Sequence, residues 1–289
     1  MASASQDTKT SFGLYRFSLL LVGATLLLIL AGGLVTSREA GLAVPDWPLS
    51  YGKFFPPMVG NIFWEHGHRM IAGAVAILTL VLSVWIQIQG KQPWLKRLAW
   101  AALGAVILQA LLGGLTVLYM LPPAVSIFHA CLAQTFFCFT VALAYFLHPN
   151  FIPAQPAQKS SAQSPNRLAL MTFAFIYFQL ILGASIRHSS FTAAPHVIFA
   201  SLVFLHVTLL AIRILRFHGE DKALVRAALG LGFSTALQVF LGIGAFVFTR
   251  MLERGYEPPP AEIFFTASHQ TLGAAVLGMS AWICLRARR

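Results

Sequence analysis

Eight long apolar stretches constrain the fold of this chain more than any other feature of its sequence. Each approaches or reaches the roughly 20 residues that a helix needs to cross a bilayer. The stretches are residues 14–36, 66–87, 97–119, 125–147, 167–187, 195–216, 225–248 and 263–285. Only 10% of all residues are charged, whereas soluble proteins have about 25%. The sequence therefore predicts an all-α integral membrane protein with eight transmembrane helices.

The distribution of basic residues predicts the orientation of these helices. The net charge is +11, but Lys and Arg fall between the apolar stretches, which orientation in a membrane explains better than binding to nucleic acid. Most of them lie in segments on the same side as the N-terminus. The first apolar stretch follows a polar tail and lacks a clear cleavage site, which favours a retained helix over a signal peptide. We expect a multi-pass protein of the bacterial plasma membrane with both termini in the cytoplasm.

A polar stretch, "PAQPAQKSSAQSPNR" at residues 153–167, divides the eight predicted helices into four and four. Its Pro, Ala, Ser and Gln content is typical of a flexible linker. We therefore expect two pseudo-symmetric four-helix bundles: residues 1–150, a cytoplasmic linker at 151–167, and residues 168–289.

A short repeat runs through both predicted halves. The motif Gln-x-x-Leu-Gly occurs in "QALLGG" (109–114), "QLILGA" (179–184) and "QVFLGI" (238–243), and "LILAGG" (28–33) is a weaker copy without the Gln. After each copy the chain is expected to leave the membrane, return and reach a histidine. These histidines are His68, His129, His196 and His269. The repeated Gly is open to two interpretations, a contact between helices or a contact with a cofactor.

The four repeated histidines are candidate metal ligands. Each lies near the start of an even-numbered predicted helix, so all four share one depth near the outer side of the membrane. Neutral imidazole is a good ligand for iron, and two histidines on facing helices can ligate both sides of a porphyrin. Two halves with two histidines each would give two heme sites. His206 lies ten residues beyond His196; we interpret it as a polar core residue, and as the substitute ligand if His196 is not one.

The stretch "WEHGHRM", residues 64–70, places further ionisable groups beside the first histidine. Glu65 stands three residues before His68, on the same helical face, where it could accept or relay protons. The alternative is a first-turn carboxylate that the helix dipole favours. Arg69 could pair with a heme propionate or with Glu65, or reach the lipid headgroups.

The predicted first outer loop, about residues 37–64, is long for a membrane protein. It contains Asp46, Trp47, Tyr51 and several prolines. Such a composition favours either an ordered lid over a site or an aromatic belt at the membrane interface.

These residues resemble a known family. "LVTSREAGLAVPDWPLSYG" followed by "EHGHRM" is similar to the first half of the heme A synthase family, of the COX15/CtaA type, which makes heme A for cytochrome oxidase. The resemblance implies an oxidoreductase that oxidises a ring methyl group of heme O, first to the alcohol and then to the aldehyde. It places Glu65, His68 and His129 at the substrate heme, with Glu65 as the catalytic group, and Arg69 beside the heme. His196 and His269 would be the axial ligands of a heme b cofactor.

The sequence also departs from the family pattern. Its first outer loop lacks the cysteine pair that many bacterial members carry, and Val197 follows His196 where the family usually has Arg. No flavin or nicotinamide motif is visible, so we expect an external electron donor; heme O synthase and a second copy of the chain are further candidate partners. Two other functions use the same histidines: a membrane b-type cytochrome that only carries electrons, and a heme-handling or assembly protein without catalysis. A transporter is the weakest alternative, because no interrupted half-length spans are visible.

Overall fold

The protein is helical throughout its regular structure in the computed structural model, which describes residues 2–90, 92–151, 165–252 and 255–288. The helices are α1 (Ala2–Ser37), α2 (Gly60–Gln89), α3 (Pro93–Leu118), α4 (Pro123–Phe146), α5 (Asn166–His188), α6 (Ala194–Phe217), α7 (Lys222–Phe246) and α8 (Pro260–Arg286). A π-helical turn, Val247–Met251, extends α7. Most of the predicted linker, residues 152–164, lies outside the described residues.

Seven helices, α1 to α7, are long and apolar enough to cross a membrane by length and composition. In hydrocarbon every backbone N–H and C=O must be bonded internally, which a helix achieves within one segment. Many large apolar side chains on these helices are exposed, among them Ile88, Ile198 and Phe233, as expected for surfaces that face lipid. The prediction of a multi-pass, all-α membrane protein is confirmed.

Helix α8 differs from the other seven in its composition. It is 27 residues long, but the sequence "TASHQT" places consecutive polar and small residues in its N-terminal half. It contacts four other helices, α1, α4, α5 and α7. Because its neighbours cover much of its surface, it tolerates polar residues that a lipid-facing helix would not.

The start of α2 differs from the prediction by six residues. The apolar pattern indicates a helix from about residue 66, whereas α2 begins at Gly60. The extra turns are made by residues with mixed polarity, which hydropathy alone does not recognise as helical. Glu65, His68 and Arg69 consequently lie well inside the helix, where backbone geometry fixes their relative directions.

The helices of each half form a closed ring of contacts. Helix α1 packs on α2, α2 on α3, α3 on α4, and α4 back on α1; helices α5 to α8 repeat the same pattern. In the part of the chain that the structure describes, the backbones of α2 and α4 are not in direct contact, and neither are those of α6 and α8. The histidine-bearing helices are therefore diagonal partners across each ring.

Three apolar clusters stabilise this arrangement. One lies among α1 to α4 and includes Leu82 and Phe136; a second lies mainly among α5 to α8 and includes Leu210 and Leu277. The third joins α1, α4 and α8 through Ile29, Phe137 and Ala274. Contacts α1–α8, α4–α8 and α4–α5 connect the two rings.

Candidate functional site

Each of the four repeated histidines packs against the glycine of the repeat on the preceding helix. We measured the distance from an ideal Cβ built on each glycine to the nearest imidazole atom, Cε1. The distances are 3.1 Å for Gly32 and His68, 3.2 Å for Gly113 and His129, 3.2 Å for Gly183 and His196, and 2.9 Å for Gly242 and His269. Any larger residue would press on the ring. The repeated glycines thus make room for the histidines.

The glutamines of the repeat bind the backbone of the same histidines. Their Nε2 atoms donate to the histidine carbonyl oxygens: Gln109 to His129 at 2.9 Å, Gln179 to His196 at 2.9 Å, and Gln238 to His269 at 2.8 Å. In the weaker first copy Leu28 occupies the corresponding position. The sequence shows the glutamines only as a marker of the repeat; their partners lie on the next helix and become visible only in the structure.

The imidazoles of the second half are fixed in one tautomer. Nδ1 of His196 lies 3.2 Å from the carbonyl oxygen of Gln179, and Nδ1 of His269 lies 3.0 Å from that of Gln238. A carbonyl oxygen can only accept, so Nδ1 must carry the proton. Nε2 therefore presents its lone pair, which is the arrangement that most metal-ligating histidines adopt.

The first-half imidazoles are held less uniformly. Nδ1 of His68 and Nδ1 of His129 are buried, and neither makes a direct hydrogen bond within the described residues. The His129 ring nevertheless lies within electrostatic range of the Gln109 backbone, the counterpart of Gln179 and Gln238, and of His68 and His188. The two halves thus share the glycine contact and differ most clearly at His68.

His196 and His269 face each other closely. Their ring centroids are 6.2 Å apart and their planes differ by 69°. Since a metal–imidazole bond is about 2 Å long, two imidazoles on opposite sides of one metal have centroids about 6 Å apart. The described residues contain no group of three or more His, Cys, Asp or Glu side chains suited to a metal ion. Two imidazoles at this separation therefore suit a metal whose other ligands come from a macrocycle, as in heme.

Glu65 and Arg69 connect α2 to the first outer loop. Glu65 is only 4% exposed, and its carboxylate accepts from Arg69 at 2.5 Å and from the backbone N–H of Val44 at 2.8 Å. Arg69 also donates to the carbonyl oxygens of Asp46 and Leu49, each at 2.7 Å. Of the three sequence interpretations of Arg69, the structure shows the pair with Glu65. No hydrogen bond joins Glu65 to His68.

The loop itself, residues 38–59, is ordered around Asp46. Its two carboxylate oxygens accept from the backbone N–H groups of Tyr51 at 2.7 Å and Gly52 at 2.8 Å. These two residues have left-handed φ angles of 54° and 69°, so the side chain stabilises a turn that most residues avoid. The Gly52 N–H bond, together with that of Tyr51 and the charge of Arg69, holds the pKa of Asp46 below its ordinary value.

Trp47 places part of this loop next to the first-half histidines. A Cβ on Gly114 would lie 2.6 Å from Cδ2 of the Trp47 ring, so the indole packs directly on α3. Gly113, the next residue, is the one that contacts His129. The loop therefore has an ordered base beside the site, as the lid interpretation expects, and an exposed aromatic tip at Phe54 and Phe55.

Two other histidines lie apart from the site. His66 is buried and its Nδ1 lies 2.8 Å from Oγ of Ser50, on the side of the loop. His206 is half-exposed on α6 and its ring lies 4.4 Å from that of Phe175. The interpretation of His206 as a core residue is wrong, because both faces of α6 are apolar and helical periodicity cannot show which one meets lipid. The geometry supports His196, which opposes His269.

A family model described as "Cytochrome oxidase assembly protein", COX15-CtaA, matches residues 59–197. This segment contains Glu65, His68, Arg69, His129 and His196, while His269 lies beyond it.

Curated relatives give the same result. The protein named heme A synthase of Symbiobacterium thermophilum is 32% identical over 176 residues, which cover 56% of this chain and 55% of that protein. Those of Roseobacter denitrificans and Bacillus pumilus are 38% and 28% identical and cover 47% and 63% of this chain. The chain spans between 37% and 61% of the length of these relatives. Over residues 59–197, just under half of its length, the chain is thus similar to the COX15-CtaA family of cytochrome oxidase assembly proteins.

Proposed function

We propose that this protein is a heme A synthase: a membrane oxidoreductase that oxidises the ring methyl group of heme O, through the alcohol, to the aldehyde of heme A. The observation that carries the proposal is the repeated placement of histidines on diagonal helices of two closed rings, each against a glycine. The family match and the names of the relatives agree with it.

The proposed architecture is a pair of pseudo-symmetric four-helix bundles. Residues 1–150 form the substrate half, residues 151–167 a cytoplasmic linker, and residues 168–289 the cofactor half. The identical order of helix contacts within α1–α4 and α5–α8 supports this division, as does the recurrence of the Gln-x-x-Leu-Gly motif in both halves.

His196 and His269 are the residues that would hold the iron of a heme b in the second half. Both present Nε2, because their Nδ1 atoms donate to glutamine carbonyl oxygens. Imidazoles held in this way suit a cofactor that stays bound. When bound, heme b supplies one-electron redox chemistry.

His68 and His129 are the proposed contacts of heme O in the first half. The His68 ring lacks an Nδ1 bond to a carbonyl, so it reorients more easily, which suits a substrate that must enter and leave. The loop that carries Trp47 covers this half and excludes water. Arg69 lies at the edge of the site, where its charge would favour a heme propionate.

Glu65 is the proposed catalytic group. Its Oε2 atom accepts from the Val44 N–H and its Oε1 atom from Arg69, so its position beside the first-half histidines is fixed. A carboxylate in this position can accept the proton released when the methyl group is oxidised.

We further propose the bacterial plasma membrane as the location, with both termini cytoplasmic, on the basis of the Lys and Arg distribution. The proposed partners are membrane lipid, heme O, an external electron donor, heme O synthase and a second copy of the chain. None of these involves nucleic acid.

Chromatography of extracted hemes tests the proposal. Cells that make heme O should accumulate heme A when they express this protein, and should not when they express Glu65→Ala at the same level. The matched control is Lys53→Gln in the same loop, whose side chain has no hydrogen bond to the site; it should produce heme A at the wild-type rate. Heme A formation by Glu65→Ala at the wild-type rate would refute the catalytic role of Glu65.

One observation favours a second candidate, a b-type cytochrome that only transfers electrons. Both carboxylate oxygens of Glu65 are bonded to groups that hold the loop, and this structural role needs no catalysis. Purified protein distinguishes the two functions: an electron carrier would contain heme b alone, even from cells rich in heme O, and would leave the cellular heme O unchanged.

A further inference from the structure

Arg38 is a half-buried cation at the loop end of the α1–α4 ring. It follows Ser37, the last residue of α1, and its Cζ atom lies 4.1 Å from the centre of the Trp64 ring on α2. Its Nε atom is buried without a hydrogen-bond partner. Within the described residues no carboxylate, not even that of the adjacent Glu39, forms an ion pair with it. A guanidinium that is partly removed from water in this way favours an anion from outside the chain.

Trp64, on which Arg38 lies, shares a face of α2 with His68. Four residues separate them (68 − 64 = 4), which rotates the helix only about 40° beyond a full turn and advances it about 6 Å. His68 packs on Gly32, six residues before Arg38 on α1 (38 − 32 = 6). The contacts of Gly32 with His68 and of Arg38 with Trp64 thus lie in antiparallel register. They place the Arg38 guanidinium about one turn closer to the outer loop than the His68 imidazole.

Two other arginines lie near the same end of the ring, and both have hydrogen-bond partners in the chain. Arg69 donates to Glu65 and to two carbonyl oxygens of the loop. Arg187 of α5 donates to Oγ of Ser37, the residue before Arg38, at 3.0 Å. The three positive charges favour an anion at this end of the ring. Of the three, Arg38 is the one whose guanidinium donates no hydrogen bond within the described residues.

We propose that Arg38, supported by Trp64, binds a propionate carboxylate of the heme that the first half takes as its substrate. This inference rests on the proposed function, because it needs a heme held at His68. Both propionates of a heme lie on one edge of a flat apolar macrocycle, and a carboxylate near a membrane interior needs a positive partner. Arg38 therefore orients the propionate edge toward the outer loop and selects porphyrins whose carboxylates are free.

A phosphate of a lipid headgroup carries a similar charge and is the alternative anion for Arg38. An arginine that reaches the headgroups extends its guanidinium away from the helices into the interface. Arg38 instead lies against Trp64, on the face of α2 that carries His68, and its Nε is buried. This placement favours an anion inside the ring over one outside it.

Equilibrium binding of heme O and of heme O dimethyl ester tests the site. The full-length protein, purified from cells that make no heme O with the heme it then carries, is placed in phosphatidylcholine nanodiscs. The change in Soret absorbance on titration, relative to empty nanodiscs, gives Kd for each compound. The wild type should bind the ester roughly tenfold more weakly than heme O, the effect of one lost hydrogen bond between charged groups. Arg38→Gln should weaken binding of heme O by a similar factor and remove most of the difference between the two compounds.

The matched control is Arg250→Gln, the same change at an exposed arginine in the turn after α7, at the same end of the molecule. It should bind both compounds as the wild type does. Arg38→Lys should recover part of the affinity, because an ammonium keeps the charge but cannot make the two parallel bonds of a guanidinium. His68→Ala should weaken binding of both compounds, which assigns the measured binding to the first half. Size-exclusion elution and helix content check that each variant is folded.

The failure of this inference differs from the failure of the proposed function. Equal affinity of wild type and Arg38→Gln for heme O, with weaker binding in His68→Ala, would overturn the role of Arg38 alone. No binding of heme O to the wild type, or binding that His68→Ala leaves unchanged, would overturn both. Equal affinity of the wild type for heme O and its ester, with a preference for phosphatidylglycerol over phosphatidylcholine that Arg38→Gln removes, would assign Arg38 to a lipid phosphate.

Discussion

At the scale of single residues, the glycine beside each histidine sets how closely the imidazole approaches the next helix. A Cβ on Gly242 would lie 2.9 Å from Cε1 of His269, whereas nothing lies within 4 Å of a Cβ on Gly232 of the same helix. We expect Gly242→Ala to displace the ring and lower the free energy of unfolding by about 1 kcal/mol, the value of the Nδ1 hydrogen bond. Gly232→Ala should be neutral or slightly stabilising. Thermal unfolding of both variants in one detergent measures this, and equal midpoints would contradict it.

Single residues also show what the sequence could reveal about the site. The four histidines and their glycines could be found because the repeat places them in register. The glutamine bonds to the histidine carbonyls could not, since they join residues 17 to 31 positions apart on neighbouring helices. Helical phase distinguishes an apolar face from a polar one, but not a lipid-facing apolar face from a buried one, and for this reason it misplaced His206.

At the scale of structural elements, the first outer loop depends on the ionised form of Asp46. The pKa of Asp46 is lowered, chiefly by the hydrogen bond from the Gly52 N–H, because the folded loop binds the carboxylate more tightly than the carboxylic acid. This stabilisation of the loop is fully present above the ordinary pKa of 3.8. It is lost as the pH falls through the lowered pKa. We expect hydrogen-exchange protection factors at Tyr51 and Gly52 to fall only in strongly acidic solution.

Asp46→Asn should lower the same protection factors already at neutral pH, because the amide offers one acceptor oxygen in place of two. Lys53→Gln, whose side chain has no part in the turn, should leave them unchanged. Protection in Asp46→Asn equal to that of the wild type would show that the backbone holds the turn unaided.

The boundaries of a helix could be predicted from the sequence where the helix begins and ends with its apolar stretch. Six helices, α3 to α8, match this rule within four residues, and α6, for example, was predicted at 195–216 and spans Ala194–Phe217. Helix α1 begins at Ala2, twelve residues before its predicted start at residue 14, because its first turns are polar and carry no apolar signal. Helix α2 did not match, because its first turns owe their order to contacts with the loop, such as Ser50 with His66. Tertiary hydrogen bonds of this kind leave no periodic signal in the sequence.

At the scale of the whole molecule, the two rings are joined by both polar and apolar contacts. Ser37 of α1 lies 2.7 Å from Oγ1 of Thr266 on α8 and accepts from Arg187 of α5 at 3.0 Å. Deeper in the membrane, a Cβ on Gly278 would lie 2.6 Å from Cε1 of Phe137. A polypeptide connection between the halves should therefore be unnecessary once they have assembled.

A protease site inserted after Lys159 tests this interface in the full-length protein. After cleavage we expect the two fragments to elute together in mild detergent. Gly278→Leu should separate them, because the larger side chain pushes Phe137 away, whereas Gly232→Leu should not, because nothing lies within 4 Å of that Cβ. Separation of the cleaved wild-type fragments would show that the covalent connection is essential.

The central position of α8 has a consequence for biogenesis. Helix α8 carries the polar residues Thr266, His269 and Gln270, which are stable in a bilayer only when other helices cover them. The helices that cover α8 are α1, α4, α5 and α7. We therefore expect α8 to integrate into the membrane only after these neighbours. Substitutions in α1, α4, α5 or α7 can therefore impair the insertion of α8, even when the altered residue lies far from it.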